Sequence, residues 1–317
     1  MHTESGKPTF IYTYASSVDE ESLCQMELRC LFGQEVLPSI FQSDIEVDVS
    51  RSPFIKERID VMYAGDNLPE IYTQVEQVEL NGMTFKVIFV KTNDLLPADK
   101  IEYDERRVIE REIGLRIEGE ADVNHPQLVY GIVTLGGRWY FGHYHKNNAT
   151  WFRQMKKPRS YSIALSTRVA RAAVNMAVPN PVGIKAIDPC CGIGTVMVEA
   201  LSMGIDMVGR DINPFIAAGA RTNIAHFGFT AEVTLGDIAD ITEHYDVAIV
   251  DMPYNLYSRI TPEEQFAILV NARRIADTVV IVAIEAMDEM ISEAGFTITD
   301  RCVAKKGGFS RHLMLCQ

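Results

Sequence analysis

Beyond residue 180 the chain alternates two kinds of apolar pattern. "GIKAIDP", "DMVGRDI", "AEVTLGD", "YDVAIVD" and "DTVVIVAI" are short runs rich in Val, Ile and Ala, the pattern of strands buried on both faces. Between them, "TVMVEALSMG", "PFIAAGARTNIAHFG" and "TPEEQFAILVNARRIA" read as helices. Gly204 and Gly228 close the first two, and Thr261 is placed to cap the third with Pro262 at its first helical position. "EAMDEMISEAGF" leads into "FTITDRCVA" and "SRHLMLCQ", which read as a hairpin joined through Lys305-Lys306-Gly307-Gly308. Strands alternating with helices predict a doubly wound, mostly parallel α/β sheet with an antiparallel C-terminal hairpin.

The first half is patterned differently. "TFIYTYA" predicts a strand, "DEESLCQMELRCLFG" an amphipathic helix ending at Gly33, and "SDIEVDVS" an alternating strand. "MTFKVIFVKTN" predicts a further strand, "DERRVIEREIGLRIEG" a charged helix, and "QLVYGIVTLGGRWYFGHYH" two strands around Gly136-Gly137. The order is that of an α+β region preceding the α/β fold.

Chemistry enters at the strand ends. Four successive strands of the second half stop on an aspartate: Asp188, Asp211, Asp237 and Asp251. Open parallel sheets bind ligands outside the carboxyl ends of their strands, so four acids on one edge suit a ligand that is cationic or rich in donors. The loop after the first of these strands, "DPCCGIGTVM", lets the backbone approach a ligand closely at Gly192 and Gly194 and aims the N–H groups of a helix starting near Thr195. A dinucleotide fingerprint wants a third glycine three residues on, where Met197 stands. After the fourth strand comes "VDMPYNLYS", which sets Asp251, Pro253 and Tyr254 together at the lip of the sheet.

Bulk properties narrow the classes. The 317 residues carry a formal charge of −13, of which residues 1–150 hold −11. No acid stands between Asp122 and Asp188, a stretch with nine Lys or Arg, so a basic stripe exists inside an acidic protein and suits phosphates. Within it, Arg153, Lys156, Lys157 and Arg159 are candidate RNA contacts, and Trp139, Tyr140, Phe141 and Tyr144 candidate stacking residues, about half of them expected in the core. The six cysteines show no CxxC spacing and read as reduced thiols of a cytoplasmic protein. No apolar stretch approaches a membrane span and the polar start lacks a signal peptide's core. His143 and His145 share a strand face without further ligand partners, so no metal is expected. His226 and Asn223 read as structural.

"DPCCGIGTVMVEA", "GRDINP" and "DMPY" together look like S-adenosylmethionine-dependent amino-methyltransferases. Cys191, Gly192, Gly194, Glu199 and Ala200 match the loop and helix of the tRNA guanine-N2 methyltransferases that carry an RNA-binding THUMP domain, and "KKPRSYSIALSTRVARAAVNMA" resembles that family's lead-in helix. The resemblance covers about residues 150–317. It implies a Rossmann-like methyltransferase domain at 161–317 behind a basic linker at 149–160. The N-terminal order is similar to a ferredoxin-like module at 1–60 followed by a THUMP-like domain at 61–148.

By the same resemblance Asp188, Cys190, Gly192, Gly194 and Thr195 would hold the methionine end of S-adenosylmethionine, Asp211 with Ile212 its ribose, and Asp237 with Ile238 its adenine, beside Asp251. An exocyclic base amine is a poor nucleophile because its lone pair is delocalised into the ring. Asp251 and a main-chain carbonyl at Met252 or Pro253 would accept its N–H bonds, Pro253 would stiffen the turn, and Tyr254 would stack on the base. The implied substrate is guanine N2 in tRNA. The family's motif is usually Asp/Asn-Pro-Pro-aromatic, and Met252 in its second position leaves the carbonyl less constrained. A DNA amino-methyltransferase and a non-enzymatic RNA-binding module with a vestigial pocket stay open as alternatives. The RNA, the nucleotide position, the number of methyls and the oligomeric state are not readable from the sequence.

Overall fold

The computed structural model describes residues 8–36, 38–96, 100–160, 164–253, 260–306 and 309–317. They fall into two compact units, and both are discontinuous in sequence. The first comprises residues 1–15, 36–50 and 54–148, the second residues 16–35, 51–53 and 149–317.

The first unit is built on a six-stranded sheet in the order β2-β1-β3-β6-β5-β4. Its strands are β1 (Phe10–Tyr14), β2 (Ile40–Ser43), β3 (Ile55–Gly65), β4 (Phe85–Phe89), β5 (Leu128–Leu135) and β6 (Arg138–Lys146). All pairs are antiparallel except β4 with β5. Ile71 and Val75 of α2 (Leu68–Val75) and Ile109 and Ile113 of α3 (Tyr103–Gly114) pack on Phe85, Tyr130 and Phe141. Phe141 is fully buried, Tyr140 is buried on the other face, and Tyr144 donates its hydroxyl to Glu57, so the aromatic cluster of β6 serves mainly the core.

Two expectations for this half are corrected. "SDIEVDVS" forms no strand: only Ser43 lies in β2, and the segment ends in a 3₁₀ turn at Val49–Arg51. Side chains satisfy its backbone instead of a neighbouring strand. The Tyr12 hydroxyl accepts from Val47 N–H at 2.8 Å, and Arg58 Nη1 donates to Val47 O at 3.0 Å. The strand lies further on, in β3, hidden in sequence by Lys56, Glu57, Arg58 and Asp60. Arg58 pairs with Asp60 across one residue (2.6 Å), which removes the cost of placing both on one strand. A module boundary at 60 therefore falls inside β3, and one sheet runs through residues expected in two modules.

The second unit carries a seven-stranded sheet in the order β12-β13-β11-β10-β7-β8-β9. Strands β7 (Ala186–Asp188), β8 (Met207–Asp211), β9 (Val233–Leu235), β10 (Tyr245–Asp251) and β11 (Ala276–Ala283) are parallel. β12 (Ile298–Lys306) and β13 (Phe309–Cys316) form the expected hairpin, with β13 antiparallel to β11. The helices are α4 (Thr167–Ala177), α5 (Thr195–Ser202), α6 (Pro214–His226), α7 (Pro262–Ile275) and α8 (Asp288–Glu293). Helix α1 (Glu21–Phe32), although it follows β1 in the chain, also belongs to this unit: it packs on α4 and β12, and Arg29 pairs with Asp300 at 2.9 Å.

The caps explain where the helices begin. Asn213 accepts from the N–H groups of Phe215 and Ile216 ahead of Pro214, and Thr261 and Glu264 exchange bonds of 3.2 and 2.8 Å in a capping box. Thr261→Ala is expected to cost about 1 kcal/mol, read as a lowered denaturant midpoint with unchanged slope.

Candidate active site

The sheet order places β10, β7, β8 and β9 side by side, so Asp251, Asp188, Asp211 and the Asp237 that follows β9 stand consecutively along one carboxyl edge. The chain leaves β7 toward β8 and β9 on one side and returns to β10 on the other. The edge is therefore a topological switch point, where open α/β sheets form their ligand crevice. Burial pushes the Cys190 thiol well above the ordinary range, and the carboxylates of Asp188, Asp211, Asp251 and Asp237 all add to that rise. The strand-end acids thus follow one another along a single edge of the sheet.

Each member is held differently. Asp188 is buried and accepts from Cys190 N–H at 3.3 Å; burial and the neighbouring Asp251 raise its carboxyl well above the usual range. Asp211 accepts from Gly192 N–H (2.9 Å) and Asn213 N–H (2.8 Å), tying the glycine loop to the start of α6. Asp237 is exposed and accepts from Ala239 N–H at 2.8 Å. Burial raises Asp251 to about 7 against the pull of Arg311, whose Nη1 lies 3.2 Å from Asp251 Oδ1. Ile212 is largely exposed beside Asp211, and Ile238 is buried in the core.

The loop from Cys190 to Gly194 has the conformation that its glycines permit. Gly192 and Gly194 have φ of +54° and +78°, and a Cβ at Gly192 would meet nothing within 4 Å, so the loop's backbone is open there. The missing third glycine has a compensation. A Cβ on Gly209 of β8 would collide with Met197 Sδ, so the room that lets α5 pack on the sheet is made by the strand, not the helix. Among the described residues the buried Thr195 Oγ1, at the first turn of α5, has no hydrogen-bond partner. An unsatisfied hydroxyl beside an open glycine loop and a set of crowded carboxylates fits a ligand that brings both positive charge and hydrogen-bonding groups.

The corner after β10 is built on Met252. Its N–H donates to Val282 O at 2.8 Å, a bond that proline cannot make, and its side chain is buried in the core. The ladder to β11 therefore extends one residue past Asp251 and fixes the backbone at Met252 without a ring. Pro253 follows, exposed. Tyr254 lies outside the described residues.

The basic stretch divides. Arg153, Lys156 and Arg159 are exposed, while Lys157 departs from the expectation. Its Nζ donates to Thr167 Oγ1 at 3.2 Å, and burial lowers its pKa against the opposing influence of Glu199. Asn223 pins this segment: it accepts from Arg159 N–H and donates to the carbonyls of Arg159 and Ile193, all at 2.9 Å. Glu199 is fully buried, 2.7 Å from Arg171, so two motif residues quoted for resemblance turn out to join α5 to α4.

Residues 154–272 match the family model described as the UPF0020, RMKL-like methyltransferase domain. That stretch is a methyltransferase domain. The match runs from the pinned basic segment through all four strand-end aspartates to α7. The chain is 26% identical over 274 residues to a tRNA (guanine(10)-N2)-dimethyltransferase of Methanothermobacter thermautotrophicus, spanning 78% of this chain and 79% of that protein. It is 32% identical over 105 residues to the Pyrococcus abyssi protein of the same name, 31% of each chain. TrmN from Thermus thermophilus superposes over 98% of this chain and 99% of its own at a TM-score of 0.48 and 14% identity. Among the described residues of the methyltransferase and the preceding unit, no cluster suits a metal ion and no helix is long and apolar enough to cross a membrane.

Proposed function

We propose that the protein is an S-adenosylmethionine-dependent methyltransferase acting on an exocyclic base amine of RNA, guanine N2 in tRNA. The observation that carries this reading is the convergence of four strand-end carboxylates beside the Asp251-Met252-Pro253 corner at the switch point of the sheet. The names of the curated relatives support the choice of tRNA and of guanine N2. When bound, S-adenosylmethionine supplies a methyl group activated by a positively charged sulfur.

The protein's own residues do the rest. Asp188 and the Cys190–Thr195 loop hold the methionine end, Asp211 the ribose hydroxyls and Asp237 the adenine amino group. Asp251 and the fixed backbone at Met252 accept the N–H bonds of the base amine, which concentrates electron density on its nitrogen, and Asp251 is the nearest acceptor for the departing proton. A carboxyl poised near neutrality is suited to that task. Arg153, Lys156 and Arg159 meet RNA phosphates, and the N-terminal unit acts as a THUMP-like RNA-binding platform. The place of action is the cytoplasm, where free thiols stay reduced.

Calorimetry with S-adenosylmethionine, followed by nucleoside mass spectrometry of tRNA incubated with protein and cofactor, tests the reading. Binding together with N2-methylguanosine supports it. Methylation of DNA but not RNA selects the DNA enzyme, and no binding at millimolar cofactor selects the non-enzymatic module. A pH dependence is also expected. Asp188 and Asp251 have raised carboxyls, so at low pH both are neutral and a cation gains little from them. Affinity for the sulfonium cofactor should therefore rise several-fold as pH increases through about 7 with proton release on binding. The uncharged thioether product should respond less. A flat ratio between the two ligands across this range would remove the electrostatic role of the carboxylates.

A further inference from the structure

Arg311 takes no part in the reading above, yet it is placed at its centre. The register sets Val282 opposite both Asp251 and Leu313, and Ala283 opposite His312, so Arg311 lies just beyond the carboxyl end of β11. From there it reaches past β11 to the end of β10, where its Nη1 donates to Asp251 Oδ1 at 3.2 Å. Its side chain is 8% exposed and its guanidinium lies 5.0 Å from the centroid of the Phe309 ring.

Asp188 on β7 is the neighbour of Asp251, raised by burial and by the Asp251 charge, and burial keeps the Cys190 thiol neutral. Arg311 from β13 supplies the opposing positive charge and draws the Asp251 carboxyl down from where burial alone would leave it. A guanidinium also restricts rotation of the carboxylate it grips, because its donors are fixed in a plane.

We propose that Arg311 is a positioning residue for methyl transfer, fixing the Asp251 carboxylate through Oδ1 so that its second oxygen is left to accept from the substrate amine. The proposal rests on the reading of Asp251 as the amine acceptor. It makes the C-terminal hairpin part of the active site, with a residue outside the 154–272 match reaching back to the corner.

The test compares Arg311→Met and Arg311→Lys with the unmodified protein in two independent measurements. Carboxyl-resolved NMR of aspartate-labelled, cofactor-free protein follows the titration of Asp251. Steady-state kinetics with tRNA follows kcat, KM and their pH profiles. Arg311→Met is expected to move the Asp251 titration up by about one to three pH units. It should lower kcat about a hundredfold and shift the acid limb of kcat upward, leaving cofactor affinity and the KM for tRNA within about threefold. Arg311→Lys keeps the charge without the planar fork, so its titration should stay near that of the parent while kcat falls to an intermediate value. An unmoved titration overturns the proposal. So does a loss of kcat matched by equal losses of cofactor affinity and melting temperature, with the acid limb in place. A moved titration combined with normal turnover in Asp251→Ala overturns the functional reading instead, and Arg311's part in transfer with it.

Discussion

Asp251→Ala is expected to lower turnover by about a thousandfold or more while leaving affinity for S-adenosylmethionine within a few-fold. The asymmetry follows from what the side chain touches. On the proposed reading Asp188 and Asp211, together with the glycine loop, remain to hold the cofactor, and Asp211 keeps its two backbone donors from Gly192 and Asn213. The amine loses its charged acceptor, and a positioned acid or base of this kind contributes about 10²–10⁴-fold. Asp251→Asn separates geometry from charge, because the amide retains one accepting oxygen and loses the anion. Its turnover should fall between that of the parent and that of the alanine variant. The backbone at Met252 should survive both changes, since it is held by Val282 and by its own buried side chain. Parent-like turnover in Asp251→Ala, measured under single-turnover conditions, would remove Asp251 from the chemistry.

The second large effect is on stability. Arg171 is 2% exposed, donates to Glu199 and to Ser202 Oγ (2.7 and 2.9 Å), and through Nε to Arg51 O at 2.8 Å. The Gln154 amide, oriented to donate, adds contacts of 2.8 Å to both oxygens of Glu199. Arg171→Met leaves the carboxylate of Glu199 buried without its directly paired guanidinium, with only the weaker influence of Lys157 left, a change that costs about 3–5 kcal/mol. Burial already raises Glu199 to about 7 with Arg171 in place. Without Arg171 the carboxyl rises further, so the group is neutral below that value and charged only above it. The stability deficit is therefore expected to be larger at about pH 8 than at about pH 5, where protonation relieves it. Arg171→Met combined with Glu199→Gln should recover part of the loss at the higher pH. Chemical denaturation of the parent, Arg171→Met and the double variant at the two pH values checks this, and a deficit independent of pH would mean that packing, not charge, sets the cost.

Much of the second unit was legible because its strands are buried on both faces and leave continuous apolar runs. Each of the four runs that ends on an aspartate is a strand or leads directly out of one, and β12 and β13 pair as the expected hairpin, whose Gly307-Gly308 lies outside the described residues. Less was legible where side chains replace neighbours that a pattern assumes. β3 was hidden by charges that pair among themselves, and the alternation of "SDIEVDVS" imitated a strand whose backbone is satisfied by Tyr12 and Arg58. Within the site, the acids and glycines announced themselves by type and position. Arg311 did not, because its place beside Asp251 depends on the register of β13 against β11, which local spacing does not encode. The ladder bond at Met252 was equally invisible, since it requires knowing that β11 lies next to β10. Thr195 was marked only as the start of a helix, and its unsatisfied hydroxyl becomes apparent once the surroundings are in place.

Helix α1 imposes an order of events on synthesis. Arg29 meets Asp300, 271 positions later, and Glu27 is buried against Asn175 and Ser52. A ribosome therefore releases this helix long before the surface that covers it exists, and its apolar face waits for partners until residue 300 has emerged. The C-terminal portion expressed from the basic stretch onward would lack that helix and leave Asn175 and the hairpin uncovered, so the catalytic half is not an excisable cassette.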